Sequence, residues 1–161
     1  MAVVYLALGS NVGDSAEHIK QAIKILSKSV KHIKQAPLYA SKAVGYTDQA
    51  DFINTVIGGK TELEPFELLA LIKEVEQEVG RTATFRWGPR EIDIDIILYG
   101  DMHMETEELT IPHASFRERD FVLKPLCDLN SELVDPISQL SVAALLAHIE
   151  ADQESVIQRI D

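Results

Sequence analysis

Two aspartates separated by one residue are the side chains best suited to chemistry in this chain of 161 residues. Asp93 and Asp95 alternate with Ile92, Ile94 and Ile96. In a strand, residues two apart share a face and lie about 6.6 Å apart, so the isoleucines would enter the core and both carboxylates would project from the opposite face. Such a pair suits Mg²⁺, which usually takes one or two protein carboxylates. A half-exposed strand with outward polar residues is the alternative.

Arginines accompany this pair, although the chain carries a formal net charge of −11. Five of the six arginines lie between positions 81 and 119, namely Arg81, Arg86, Arg90, Arg117 and Arg119. Arginine presents a rigid fork of donors that suits phosphate, and Trp87, in the predicted loop at 81–90, offers a flat face to a heterocycle. Carboxylates for a metal beside arginines for phosphate indicate phosphoryl-type transfer. Chance clustering on a solvated face is the alternative.

Composition restricts the classes of function. The negative charge argues against broad binding to nucleic acid or to acidic membranes, and no apolar run approaches the roughly 20 residues that span a bilayer. The single cysteine, Cys127, excludes an internal disulfide, so we expect a cytoplasmic protein. The chain contains no P-loop, dinucleotide fingerprint or zinc pattern. Small-molecule substrates are therefore expected, without an obligate protein partner.

Two amphipathic helices are predicted in the first half of the chain. A capping box at Asp14 and Glu17 begins the first, and Pro65 lies in the first turn of the second, which ends at Gly80. The buried face of the first helix is expected to carry Ile19, Ala22, Ile23, Leu26 and Val30, and that of the second Leu69, Ile72, Val75 and Val79.

Strands are predicted at residues 2–8, 32–40, 51–58 and 91–99, with Gly9 to Asn11 ending the first. A hairpin at 101–111, a helical stretch at 114–128 and a last helix from Ser141 follow. The order βαββαβ predicts an α+β, ferredoxin-like plait. Its antiparallel sheet would be covered by helices on one face, with extra C-terminal helices, in one domain spanning residues 1–161.

Five pieces of sequence, taken together and in their order along the chain, resemble one family, the 6-hydroxymethyl-7,8-dihydropterin pyrophosphokinases of folate biosynthesis. The most specific piece, Arg-Trp-Gly-Pro-Arg-x-x-Asp-x-Asp, covers residues 86–95. The other four are Leu8-Gly9-Ser10-Asn11, Asp51-Phe52-Ile53-Asn54, Pro112-His113 and Arg119-Asp120-Phe121.

The resemblance implies a single-domain enzyme that moves pyrophosphate from ATP to the hydroxymethyl group of a reduced pterin and releases AMP. It implies that Asp93 and Asp95 hold two Mg²⁺ ions and that Arg81 and Arg90 act with them on the phosphates. It further implies an ATP site of Arg86, Arg90, Thr110, His113 and Arg119. The implied pterin site consists of Ser41, Val44, Phe52, Asn54, Trp87 and Phe121.

Two other functions are compatible with parts of the pattern. Another Asp-x-Asp metal-dependent enzyme, such as a nucleotidyltransferase or nuclease, would use the same carboxylates, but a nucleic-acid substrate favours a basic surface and the sequence pI is ≈ 4.8. A non-catalytic ferredoxin-like module that binds a metabolite has no need of paired strand carboxylates beside an arginine–tryptophan loop.

Overall fold

The computed structural model describes residues 1–42, 51–80, 92–149 and 154–160. Eight strands, four α-helices and one 3₁₀ turn lie within these ranges. In chain order they are β1 (Ala2–Ser10), α1 (Ser15–Leu26), β2 (Val30–Gln35), β3 (Tyr39–Ser41), β4 (Phe52–Thr61), α2 (Pro65–Gly80), β5 (Asp93–Tyr99), β6 (Met104–Glu105), β7 (Thr110–Ile111), the 3₁₀ turn (Phe116–Glu118), α3 (Asp120–Asn130), α4 (Val142–Ala147) and β8 (Val156–Arg159).

Six of the strands form one antiparallel sheet. Their order is β5-β1-β4-β3-β8, and β2 pairs with β4 on the same side as β3. If β2 and β3 are counted as one interrupted strand, the first six elements have the βαββαβ order and sheet arrangement of the ferredoxin-like plait. The α+β fold class is therefore confirmed, and β6 and β7 form the predicted hairpin.

The second predicted strand, at 32–40, is two strands. Pro37 lies between β2 and β3, and proline has no N–H to donate to a ladder. The neighbouring Ala36 keeps the segment beside β4, since its N–H donates to Val56 O at 3.0 Å and its carbonyl accepts from Thr55 Oγ1 at 2.9 Å. β2 begins at Val30, which was wrongly expected on the first helix.

The two predicted helices of the plait are present with small differences. Asp14 caps α1 by accepting from the N–H of Glu17 at 3.2 Å. In α2 the buried stripe includes Leu68, and Leu69 is only half-buried. No helix in the described part of the chain is both long and apolar enough to cross a membrane.

Helices cover both faces of the sheet, whereas one covered face was expected. α1 and α2 pack on the face formed by side chains such as Leu6 and Ile57. α3 and α4 pack on the opposite face, against Val56 and Ile97. Successive strand residues point to opposite faces, and here both sets are apolar, so each face requires a helical layer. This second layer, formed by α3 and α4, covers part of the sheet face that carries the aspartates.

The C-terminal third differs most from expectation. The helical stretch predicted at 114–128 is a 3₁₀ turn followed by α3, and the two are separated by Arg119 in an extended conformation (φ −115°, ψ 101°). Ser141 caps the short α4 by accepting from the N–H of Ala144 at 3.1 Å. β8 was not predicted, because a four-residue strand at a sheet edge has too short a hydrophobic pattern to be recognised.

Candidate active site

The predicted aspartate pair lies on one face of β5. Asp93 pairs with Gly9 of β1 and Asp95 with Ala7, so both carboxylates lie beside very small residues of the neighbouring strand. The aspartates are half-buried, while Ile94 between them is buried on the opposite face. The N–H of Ile94 donates to Glu76 Oε2 of α2 at 2.9 Å. This contact holds the outer edge of β5 between the two aspartates.

The same sheet face continues through β4 and β3 as a polar floor. Asn54 and Ser41 are 5% and 2% exposed, and Asn54 Nδ2 donates to Ser41 Oγ at 2.7 Å. Gly9 and Ser10 were expected to end β1, but they continue it and pair with Asn54 and Ile53. The missing side chain at Gly9 is needed here, because a Cβ would lie 3.1 Å from Asn54 Oδ1.

The start of α3 forms the opposite wall. Arg119 precedes the helix, and its Cζ lies 5.7 Å from the centroid of the Phe121 ring. A guanidinium near an aromatic face is attracted by the ring quadrupole, so this contact orients both side chains. The extended backbone at Arg119 turns the chain from the 3₁₀ turn into α3 and brings this residue to the aspartate face.

His113 lies beside Asp95. Its Nε2 is 3.8 Å from Asp95 Oδ2, and its Nδ1 accepts from the N–H of Ser115 at 3.1 Å. The neutral ring therefore carries its proton on Nε2, on the side of the carboxylate. Burial lowers the pKa of His113 below its ordinary value of 6.5; the Asp95 carboxylate opposes this shift, and Arg119 adds to it. These effects favour a neutral imidazole at neutral pH.

A cavity of about 270 Å³ lies between the aspartate pair, the polar floor and the start of α3. It combines two carboxylates, two cationic side chains and two aromatic rings. Its lining is Ala7, Leu8, Gly9, Ser41, Lys42, Phe52, Asn54, Thr55, Asp93, Asp95, Arg119, Phe121 and Val122.

The structure thus brings together half of the predicted site residues, drawn from four elements. Those that line the cavity are Ser41, Phe52, Asn54, Asp93, Asp95, Arg119 and Phe121. His113 lies next to Asp95 without lining the cavity, and Thr110 is half-buried in β7, away from the lining. Five predicted residues lie outside the described part of the chain, namely Val44, Arg81, Arg86, Trp87 and Arg90.

Sequence reasoning missed several lining residues. Lys42 adds a second cation, and its position directly after the predicted Ser41 was the available signal. Gly9 lay in one of the five pieces of resemblance, but its effect depends on the close approach of Asn54. Ala7 and Val122 have no polar atom in their side chains and gave no signal, since their contribution is only the shape of the cavity.

The donor set suits a hard cation that arrives with a phosphate ligand. Asp93 and Asp95 supply carboxylate oxygens, and Mg²⁺ commonly binds one or two such groups and completes its shell with water and substrate phosphates. Within residues 1–42, 51–80, 92–149 and 154–160, no group of three His, Cys, Asp or Glu side chains is arranged to hold a metal. The two carboxylates on one strand face fit a metal ion that substrate phosphates and water also coordinate.

A family model and two relatives of this chain name the same activity. The family model for 7,8-dihydro-6-hydroxymethylpterin-pyrophosphokinase (HPPK) matches residues 5–131. A 2-amino-4-hydroxy-6-hydroxymethyldihydropteridine pyrophosphokinase of Aquifex aeolicus is 48% identical over 137 residues, which cover 85% of this chain and 86% of the relative. The enzyme of the same name from Bacillus subtilis is 42% identical over 156 residues, or 96% and 88% of the two chains.

Solved structures resemble this chain in fold. Wild-type Plasmodium falciparum HPPK-DHPS with SDX-DHP superposes with a TM-score of 0.71 at 17% identity, and a triple mutant with pterin and p-hydrobenzoate with 0.73 at 16%. The match covers 91% of this chain but only 43% and 44% of those chains, so the chain spans less than half the length of the solved proteins. The extent and identity of the sequence matches show that the chain belongs to the 7,8-dihydro-6-hydroxymethylpterin-pyrophosphokinase family.

Proposed function

We propose that this chain transfers pyrophosphate from ATP to the hydroxymethyl oxygen of 6-hydroxymethyl-7,8-dihydropterin and releases AMP. One observation carries the proposal: Asp93 and Asp95 open into the same cavity as Arg119, Phe121 and Asn54. Charged groups that suit phosphates and their metal ions therefore lie in the same site as polar and aromatic groups that suit a flat heterocycle. A reaction between a nucleotide and such a heterocycle requires both.

The pterin half of the site is assigned to the sheet floor and the start of α3. A pterin is flat and has a dense edge of donors and acceptors, so it suits an aromatic face with a fixed polar pair beside it. Phe121 and Phe52 supply aromatic surface, and Asn54 is held in place by its hydrogen bond to Ser41. Val44 and Trp87 are assigned to this half on the family resemblance alone.

The nucleotide half is assigned to the cationic side of the site. Arg119 lines the cavity next to the aspartates, and His113 lies beside Asp95. A guanidinium can donate two hydrogen bonds to the oxygens of one phosphate. The neutral His113 can donate one hydrogen bond. We assign Thr110 to the same half on the resemblance. Arg81, Arg86 and Arg90 are likewise assigned to the phosphates on the resemblance.

Asp93 and Asp95 are the residues that would hold two Mg²⁺ ions, for which their oxygen donors are suited. When bound, such ions neutralise the charge that accumulates on the phosphate oxygens. The half-buried position of the two carboxylates limits competition from water while leaving one side open to the substrates. A third protein carboxylate is not required, because phosphate oxygens and water complete the coordination of such ions.

The transfer needs no protein nucleophile. The hydroxymethyl oxygen forms a bond to the β-phosphorus of ATP, and the bond from that phosphorus to the oxygen bridging the α-phosphorus breaks. AMP leaves with the bridging oxygen, and the hydroxyl proton passes to solvent or to a carboxylate. Catalysis then depends on positioning the two substrates and neutralising charge, which are the roles assigned to the residues above.

Product analysis tests the proposal. The protein is incubated with ATP, Mg²⁺ and the reduced pterin, and nucleotides are separated by chromatography. AMP and a pterin diphosphate are expected in equal amounts, with no AMP when the pterin is omitted. ADP as the main nucleotide product would indicate ordinary kinase chemistry, and failure to form either nucleotide would favour a binding module. Incorporation of nucleotide into a polymer would favour a nucleotidyltransferase.

Two aspartate variants make the same test specific to the site. Asp95→Asn keeps the shape of the side chain and removes its charge, and we expect the rate of AMP formation to fall by at least about a hundredfold. Asp101→Asn, in the exposed turn after β5, makes the same chemical change away from the cavity and should retain the wild-type rate. Similar rates for both variants would refute the role assigned to Asp95.

Two wider parts of the proposal concern the protein as a whole. We propose that residues 1–161 form a single pyrophosphokinase domain. This is supported by the main sheet, which includes strands from residue 2 to residue 159. We also propose a cytoplasmic location, in keeping with a single cysteine and with the reducing conditions that such usage suits.

A further inference from the structure

The C-terminal strand connects two walls of the cavity, one formed by Ser41 and Lys42 at the end of β3 and the other by Arg119 and Phe121 at the start of α3. Ser41 of β3 pairs with Val156 of β8, and the N–H of Lys42 donates to Ser155 O at 2.9 Å. On the other side, the Asp120 carboxylate at the start of α3 accepts three hydrogen bonds from the same segment. These come from the N–H and the hydroxyl of Ser155, at 2.9 and 2.6 Å, and from the N–H of Val156 at 2.9 Å.

Asp120 does not line the cavity, but both of its chain neighbours do. It is 1% exposed, and a buried carboxylate is costly unless hydrogen bonds compensate for its lost hydration. The three donors from residues 155 and 156 provide that compensation. Arg119 and Phe121 are therefore attached to the sheet edge through Asp120, which lies between them in the first turn of α3.

Ser155 bonds to both walls at once. Its carbonyl binds the wall that carries Ser41 and Lys42, while its N–H and hydroxyl bind Asp120. It also lies beyond residues 5–131, which the family model matches. Ser155 thus brings a part of the chain outside the matched segment into contact with both walls.

We propose that Asp120 and Ser155 are positioning residues for the ligand cavity, because their hydrogen bonds set the separation between the Ser41–Lys42 wall and the Arg119–Phe121 wall. The inference rests on the proposed function, in which a pterin ring occupies the space between those walls. Loss of the connection lets the walls separate, so that the ring cannot contact Phe121 and the Ser41–Asn54 pair together. The expected consequence is weaker pterin binding.

Four variants test this connection in the full-length chain. Asp120→Ala removes all three acceptor contacts. Asp120→Asn can keep them in weaker form, because its oxygen can accept from the two backbone N–H groups and its NH₂ can donate to Ser155 Oγ. Ser155→Ala removes only the hydroxyl. Ser138→Ala is the matched control, since Ser138 Oγ donates at 2.7 Å to another buried aspartate, Asp135, that does not line the cavity.

The first measurement is pterin affinity by titration calorimetry, with KM and kcat from AMP formation. We expect Asp120→Ala to weaken pterin binding roughly tenfold or more, since it loses hydrogen bonds to a charged group. Asp120→Asn should recover most of this loss, and Ser155→Ala should show a smaller loss than Asp120→Ala. Ser138→Ala should bind pterin like the wild type even if its stability is lowered. Unchanged pterin affinity in Asp120→Ala and Ser155→Ala, or an equal loss in Ser138→Ala, would overturn the inference.

The second measurement does not depend on activity. Amide hydrogen exchange at residues 39–42 and 119–123 should become faster in Asp120→Ala than in Ser138→Ala. Equal protection of both segments in the two variants would overturn the inference even for an active enzyme. A wild-type protein that forms no AMP would refute the proposed function, while the exchange comparison would still decide whether Asp120 and Ser155 hold the walls together.

Discussion

Replacing Gly9 with alanine should weaken pterin binding and leave the fold intact. The added Cβ would lie 3.1 Å from Asn54 Oδ1 and 3.7 Å from the Phe52 ring. The first distance is tighter than ordinary contact, so the Asn54 amide must give way by a few tenths of an ångström. That amide is buried and bonded to Ser41 at 2.7 Å, so its displacement alters the polar floor of the cavity.

The size of the effect follows from the contacts involved. Loss of the hydrogen bond proposed between Asn54 and the pterin edge would cost about 1.4 kcal/mol, which corresponds to about tenfold weaker binding. The free energy of unfolding should change by less than about 1 kcal/mol. Alanine restricts the unfolded chain more than glycine does, which raises the free energy of unfolding. This increase offsets the cost of the tight contact at residue 9.

Gly58→Ala is the matched control. Gly58 pairs with Tyr5 on the same sheet face as Gly9 but does not line the cavity. Its added Cβ would lie 2.8 Å from the Tyr5 ring, so we expect lower stability and unchanged pterin affinity. Pterin affinity is measured by titration calorimetry and stability by urea denaturation. Pterin binding by Gly9→Ala within about twofold of the wild type, or an equal loss in Gly58→Ala, would refute the role assigned to Gly9.

Substitutions in the second half of the chain provide further tests. Burial raises the pKa of Asp135, but hydrogen bonds, chiefly from Arg117, outweigh this effect and hold the pKa well below its ordinary 3.8. This stabilisation is present above about pH 4 and is lost as the pH falls, so urea denaturation between about pH 6 and pH 3 should show a smaller pH dependence for Asp135→Asn. Leu123→Ala, at a fully buried position, should lower the free energy of unfolding by about 2–5 kcal/mol, whereas Leu140→Ala, at a residue that is 40% exposed, should change it little. Arg119→Lys keeps the charge but loses the fork of donors, so the KM for ATP should rise about tenfold. Lysine can still lie near the Phe121 ring, so the change in pterin affinity should be much smaller, and equal effects on both substrates would contradict the assignment of Arg119 to ATP.

The aspartate face was predictable because it depends only on local geometry. Alternation along β5 places Asp93 and Asp95 on one side for any backbone that is extended there. The cap at Asp14 and the proline at the start of α2 are equally local, since each acts within about one helical turn. The resemblance added the roles of distant residues, which no local pattern contains.

The interruption at Pro37 shows how a local signal can be present and still be misjudged. A proline inside a predicted strand indicates a break, but the length of the break depends on which partners remain available. Ala36 keeps two hydrogen bonds to β4, so β2 and β3 stay on the same edge. The prediction of one continuous strand was wrong because that pairing lies in another element.

The sequence alone determined a carboxylate pair on one strand face, a cluster of arginines of the kind that suits phosphate, and the order of elements in a ferredoxin-like plait. The tertiary structure decided which of those groups meet. It placed a second helical layer over the aspartate face, brought Ser41, Asn54 and Phe121 around one cavity and attached β8 to both walls through Ser155 and Asp120. These contacts join residues far apart in the chain, and short segments such as β8 gain their structure from the partners they pair with rather than from their own hydrophobic pattern.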